Sequence, residues 1–445
     1  MSAFLVGFGR SDITPAIPTP LAGYGNTSYR LHQSVRDPIF ATCLALSDGE
    51  TTLLWYTQDL IRCDRKRTEK ARDYLSERFS LPKEQILLCS THTHSSVDNS
   101  SSHPSLEIWF PFYLDQLAAA AKDALADLSE ARLFAGQIET AEMCFVRRYF
   151  LKDGTFIGDN SGTVATPENP VVRHESEADR MMRGVRIERE GKKSILLMNF
   201  QAHATLTGGN AKTELSADYP GGVRAEVEKR TGAYFAFFQG GAGNMNPTSR
   251  MKKTEMFHRD MTAYCTRMAD YFGRIMEIAE PVETGKIRVQ NLHFSAPVNH
   301  THDGEVEVCR MIRKVWGTND REGAKALCRQ YGYASPYACG AVLTRAGMPE
   351  KIDIEFAAVS TGDFAFVTAP YEMFCGSAKD IRERSPFPVT FVCSCSLTHE
   401  GYVPTKDAFL HHGYEADMCR FLPGAAEDFA DALVGLLEKN KAAEA

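Results

Sequence analysis

Residues 51 to 96 read TTLLWYTQDLIRCDRKRTEKARDYLSERFSLPKEQILLCSTHTHSS. The run TTLLWYTQD reads as a strand, RCDRKRTEKARDYLSERFS has the spacing of an amphipathic helix, and QILLCSTHTH is a second apolar run with a polar end. Strand, helix, strand is the alternation of an α/β protein. It continues in both directions. FLVGFGRSDIT, FATCLALSDG, ARLFAGQIE, SILLMNFQAHA, AYFAFFQGG, FAAVSTGDFAFVTAP and VTFVCSCSL read as further strands. FYLDQLAAAAKDALADL, PGGVRAEVEKRTG, the segment 262–278 and AAEDFADALVGLLEKNK read as further helices. The expected fold is α/β, with mixed β-sheets and flanking helices in a single large catalytic domain spanning residues 1–445. No repeat period is visible, and the polar interval 151–180 reads as a long surface excursion.

Composition narrows the function classes. Hydrophobic residues at 43% and charged residues at 24% fit a soluble globular chain. A net charge of -7 supplies no basic footprint, which argues against nucleic acid as a partner. No window approaches the ~18 consecutive apolar residues of a spanning helix, so no stable membrane insertion is expected. MSAFLVGFGRSDITPA has no basic leader, and a cytoplasmic location follows as the expectation. The 12 cysteines include no C-x-x-C pair and read as reduced thiols in core positions. The sequons at Asn26, Asn99 and Asn299 carry no weight in a protein that is not exported. A homo-oligomer is compatible with a compact enzyme of this size.

The opening stretch ends in THTH. On a strand, residues i and i+2 face the same way, so His92 and His94 are expected to share a direction at the strand's C-terminal end, where α/β proteins keep their chemistry. That suits two metal ligands, one ligand beside one acid/base, or a plain polar strand end. The chain carries its own control: residues 299–302 read NHTH and give His300 and His302 the same spacing. His203, closing SILLMNFQAHA, is a nitrogen ligand in its neutral form or a core histidine bonded to a carbonyl. Glu372 in DFAFVTAPYEMF is a ligand or a first-turn carboxylate of the helix that follows. LTHEGYVPTKDAFLHHGYE, residues 397–415, gathers His399, Glu400, Tyr402, His411, His412, Tyr414 and Glu415.

These elements, in this order, resemble the neutral (non-lysosomal) ceramidase family. The resemblance runs from GFGRSDITP through DLIRCD, STHTHSS, VRRY, NFQAHA, SADYPGG and APYEMF to GYVPT, with Tyr414 twelve residues after Tyr402. It implies a zinc-dependent hydrolase that cleaves a C–N amide bond with metal-activated water, the Zn2+ being held by His92, His203, Glu372 and Tyr402. It also implies that His94 stands beside that water as general base and acid, and that Arg147 and Tyr414 face the substrate carbonyl. Three or four N/O ligands with a position left for water form the pattern of a catalytic zinc site, whereas a structural site would favour cysteines. The family's ceramide-cleaving members carry a C-terminal β-sandwich for which the chain has no room after its last motif. The expected partner is therefore a small-molecule amide or related substrate. The family's G-D-V-S-P-N segment appears here as GNMNP, residues 243–247, with Asn246 in the place of a serine.

Other readings stay in view. The same site would serve an ester, lactone or cyclic amide, and a non-catalytic binding protein would retain the fold. The metallo-β-lactamase pattern H-x-H-x-D-H fails, because SSVDN follows His94. GGAGNMNP lacks the third glycine of a dinucleotide fingerprint and reads as a polar turn. SADYPGG reads as structural, with Asp218 capping a helix. NHTH has no counterpart in the motif set and reads as a surface loop.

Overall fold

Thr52–Gln58 shows why the apolar runs become strands with two buried faces. Trp55 points to one side and Leu54 and Tyr56 to the other, and none has exposed surface. A strand covered on both faces is apolar throughout rather than alternating. The computed structural model that gives this arrangement describes residues 3–24, 30–158, 165–209, 212–251 and 260–444. Asn26 and the 159–164 part of the polar interval lie outside the described residues.

The strands form a threefold repeat. The first set is Leu5–Asp12, Phe40–Ser47, Thr52–Gln58 and Ile86–Ser90. The second is Ser129–Glu139, Met181–Arg189, Ile195–Phe200 and Tyr234–Gln239. The third is Arg288–Pro297, Lys351–Thr361, Phe364–Thr368 and Val389–Cys393. In every set the first strand pairs antiparallel with the second, the second antiparallel with the third, and the third parallel with the fourth. One helix joins the third strand to the fourth and another follows the fourth. These helices are Arg65–Phe79 and Ser105–Ala126, then Asp218–Thr231 and Met261–Glu277, then Cys375–Arg384 and Ala425–Ala442. The first two sets meet at Leu5–Glu130 and Val6–Ser129 and, with the edge strand Glu280–Val282, make one nine-stranded sheet; the third set is a separate sheet of four.

The inner faces of all three sets share one apolar core. Trp55 is stacked between Phe238 of the second set and Phe366 of the third, with ring centroids 3.9 and 3.8 Å away. Each set's two helices cover its outer face. Close approach explains the glycines that interrupt the first run: a Cβ on Gly7 or Gly9 would lie 1.9 or 2.0 Å from a carbonyl oxygen of Ser105–Ala126. Among the described residues no helix is long and apolar enough to cross a membrane. The cysteines are free and buried, as expected.

Within each set strands one, three and four run in the same direction, whereas strand one of the first set is antiparallel to strand one of the second. What meets across the sets is the C-terminal ends of strands three and four, with Ser90 N donating to Cys395 O at 3.1 Å and Ser394 N to Gln239 O at 2.8 Å. Within each set the link from strand one to strand two departs from that end too, and this is where the chain is long: residues 13–39, 140–180 and 298–350. The last of these carries three helices, Val306–Gly317, Arg321–Tyr331 and Pro336–Ala346. The interval 151–180 is more structured than an open excursion, because Tyr149–Leu151, Phe156–Ile157 and Val171–His174 form a small sheet.

Candidate metal centre

The strand Ile86–Ser90 stops before the histidines, so strand geometry does not orient them. A turn does. His92 takes φ +64°, in the left-handed region that costs a non-glycine residue roughly 1–3 kcal/mol. Its backbone N donates to Leu60 O at 3.0 Å, and that of His94 donates to Ala204 O at 2.9 Å. Tied in this way to two neighbouring loops, the turn brings both rings to one place, with centroids 4.9 Å apart at 83°.

Each further residue arrives from another strand end of the repeat. His203 follows Ile195–Phe200. Glu372 follows Phe364–Thr368 and belongs to the short strand Glu372–Met373, which pairs in parallel with Tyr402–Val403 and sets Glu372 opposite Tyr402. It is therefore not a first-turn carboxylate, and Cys375–Arg384 begins beyond it. Arg147 lies in the first-to-second link of the second set.

The ligand atoms close a triangle. His92 Nε2 is 3.1 Å from His203 Nε2, and Glu372 Oε2 is 3.2 Å from each of these two nitrogens. His94 Nε2 stands to one side, 3.3 Å from His92 Nε2. The three histidine nitrogens lie within 4.8 Å of one another. Every imidazole is fixed through its other nitrogen: Nδ1 of His92 donates to Ile61 O at 2.7 Å, that of His203 to Ala242 O at 2.6 Å, and that of His94 to Gly23 O at 3.1 Å. Gly23, at φ +96°, has no room for a Cβ, which would lie 2.4 Å from the His94 ring. With the Nδ1 protons committed to carbonyls, the Nε2 lone pairs converge on one another and on a carboxylate. Uncompensated, that arrangement is repulsive. A cation relieves it, and zinc–nitrogen bonds of about 2.0–2.1 Å in a tetrahedron put ligand atoms about 3.3 Å apart, close to the spacing observed.

The electrostatics agree. Burial, then the charges of His92 and His203, push His94 well below the ordinary histidine range, and burial with Arg147 pushes His203 down to about 4. Against the upward push of burial, the two histidines hold Glu372 well below the usual carboxylate range. His92 goes the other way, because Cys395 and Glu372 outweigh burial. The cluster thus sets one positive charge, on His92, against the ionised Glu372 and leaves His94 and His203 neutral.

Arg147 and Tyr414 are brought to the same place. The Arg147 guanidinium lies 5.5 Å from the Tyr402 ring centre, and the Tyr414 ring is 5.4 Å from that of Tyr402. Arg147 Nε donates to Glu415 Oε1 at 2.8 Å and Nη2 donates to Gly243 O at 2.9 Å. Glu415 also accepts from Arg148 Nη1 at 2.9 Å, and Arg148 in turn bonds both oxygens of Glu175. In the sequence Glu415 is one polar residue among many in 397–415; its burial beneath two arginines is visible only in the fold. His399 is similar, with Nε2 3.7 Å from Glu372 Oε1.

The GNMNP segment is a tight turn against the site, and a Cβ on Gly243 would lie 2.6 Å from Glu372 O. Asn246 pairs with Phe145, two residues before Arg147. Asp218 bonds Tyr219 N at 2.7 Å, but it also accepts from the backbone N of Thr207 at 2.6 Å and so pins the loop that follows His203.

Comparison with solved structures bears on the architecture. The chain matches the neutral ceramidase from Pseudomonas aeruginosa with a TM-score of 0.71 over 99% of its own length and 75% of that chain, at 18% identity. The fold is that of the neutral ceramidases. A ceramidase complexed with C2 matches equally well, with a TM-score of 0.71 at 16% identity over 99% of this chain and 76% of the other. No protein-family model and no curated protein matches the chain. Within this fold, His92, His94, Arg147, His203, Glu372 and Tyr402 come together as one buried cluster, with the half-buried Tyr414 beside Tyr402.

Proposed function

We propose that the chain is a zinc-dependent hydrolase that cleaves the C–N bond of an amide in a small or N-acylated substrate. The observation that carries this reading is the near-equilateral triangle of His92 Nε2, His203 Nε2 and Glu372 Oε2, with edges of 3.1 and 3.2 Å. The likeness to two ceramidases supports amide hydrolysis as the reaction. His92, His203 and Glu372 would hold the ion, with Tyr402 beside them. Tyr402 is the least prepared of the four, since burial and then the Glu372 charge push its phenol well above the ordinary range. Zinc, when bound, supplies hydroxide near neutral pH and a Lewis acid for a carbonyl oxygen.

The chain's own groups handle protons and orientation. His94 stands outside the triangle and is neutral at pH 7, with its Nδ1 proton on Gly23 O, so Nε2 is the basic atom. It accepts the proton of the attacking water and returns it to the leaving amine, a role worth typically 10²–10⁴ in rate. Glu415 and Gly243 hold the Arg147 guanidinium, so its charge is preset near the position of the developing oxyanion. Burial and then Glu372 raise Tyr414's phenol, which keeps it a neutral O–H donor on the same side.

Elemental analysis of protein purified without added metal or chelator tests the proposal, with His92→Ala measured alongside. About one zinc per chain, lost in the variant, is the expected result. Equal zinc in both proteins, or none in either, would remove the basis for the reading.

A further inference from the structure

The threefold repeat supplies internal controls for the seams between its sets. In the seam between the third and first sets, Arg72 on the helix after strand three meets Glu355 on strand two of its neighbour, at 2.6 Å. In the seam between the first and second sets, Arg10 pairs with Glu228 and Arg224 with Asp59, both at 2.8 Å. In both seams every arginine has a carboxylate of its own.

The seam between the second and third sets breaks the pattern. Arg382 is on the helix after strand three, and the residue it faces on strand two of the neighbour is another arginine, Arg183. Both lean on one carboxylate, Asp179, with Arg183 Nη1 3.5 Å from Oδ2 and Arg382 also in contact with it. The Arg382 side chain is 7% exposed, and neither its Nε nor its Nη1 has a hydrogen-bond partner. Burial and then the Arg382 charge bring Arg183 down to about 9. The two arginines border a cleft of about 440 Å³, with Lys379 and Glu383 also on its wall and Met181, Pro388 and Val389 on its apolar side. Three cations there face two carboxylates. The cleft in the Arg10 seam has the reverse balance, with Arg10 and Lys193 against Asp123, Asp127 and Glu228.

We propose that the cleft between the second and third sets is a binding site for an organic anion, whose carboxylate or phosphate lies against Arg183 and Arg382 and whose apolar body lies along Met181, Pro388 and Val389. The anion supplies the second negative charge that the other two seams build in, where each arginine has its own carboxylate. The site is separate from the histidine cluster and does not depend on the function proposed for it.

Isothermal titration of the full chain with octanoate, octyl phosphate and inorganic phosphate, with and without chelator, tests this. Saturable binding of an octyl anion is expected, at least tenfold weaker in Lys379→Glu and in Arg382→Met and unchanged by chelation. Lys379 is exposed and its substitution spares the core, so it keeps the test decisive if Arg382→Met does not fold. A better affinity for octanoate than for octyl phosphate, or the reverse, identifies the headgroup. No binding of either octyl anion, equal affinity in Lys379→Glu, or binding lost with the metal would overturn the proposal. Inorganic phosphate binding as tightly as either octyl anion would overturn the apolar half of the assignment.

Discussion

His92 and His94 are separated by one threonine, and so are His300 and His302, yet the two pairs sit in opposite surroundings. The first pair is buried, with each Nδ1 on a backbone carbonyl and each Nε2 turned toward other donors. In the second, His302 is exposed and His300 half-buried; His300 Nδ1 is 3.0 Å from Asp303 and His302 Nδ1 is 3.2 Å from Glu305, local partners three residues on, and His300 Nε2 donates to Pro349 O at 3.3 Å. Spacing sets only how near two side chains are. Whether they become a site depends on what the rest of the chain brings opposite them: His203, Glu372 and Tyr402 for the first pair, solvent and local carboxylates for the second.

Substitutions grade that difference. The largest effect is expected at the triangle, where His203→Ala should abolish metal retention and activity together, as measured by elemental analysis and amide turnover. His94→Ala should keep most of the metal and lose about 10²–10⁴ in kcat. Equal loss of metal in the two variants would make His94 a ligand and erase the distinction between it and the triangle.

Glu415→Gln comes next. Breaking a buried pair leaves uncompensated charge at a cost of about 3–5 kcal/mol, readable by urea unfolding. The same residue gives a pH test. Burial raises the Glu415 carboxyl, but Arg147 and Arg148 outweigh it, so the folded value lies below the ordinary 4.5. Its stabilisation is therefore full above the unfolded pKa and is lost as pH falls through the folded one. The variant should show a shallower loss of stability in acid than the parent chain.

The smallest effect belongs to the control pair. His300→Ala and His302→Ala should each change stability by no more than about 0.5 kcal/mol and leave metal content and turnover unaltered. A loss of metal in either would return the second pair to the site.

Most strands were legible because burial on both faces makes them continuous apolar runs, as in Thr52–Gln58. Met181–Arg189 and Arg288–Pro297 were not, since partly exposed Arg183, Arg186, Gln290 and Asn291 break their patterns. The three helices of 306–346 escaped as well, being short pieces within one long link. The threefold repeat stayed hidden because those first-to-second links, 13–39, 140–180 and 298–350, differ in length and content and mask any fixed period.

For the site, the residue types and their places at strand ends were readable, whereas the partners were not. Glu415 looks like any acidic residue in 397–415 until Arg147 and Arg148 are folded onto it. The sequence by itself determined the α/β class, the apolar runs and the polar residues His92, His94, His203 and Glu372 that follow them, because local pattern depends on neighbours in the chain, while Arg147, Tyr402 and Tyr414 were singled out only by the resemblance to the neutral ceramidases. Only the tertiary structure decided that the C-terminal ends of strands three and four of the three sets meet. That meeting brings residues as distant as His92 and Glu372 into one buried cluster, with the half-buried Tyr414 at its edge, and leaves His300 and His302 outside it.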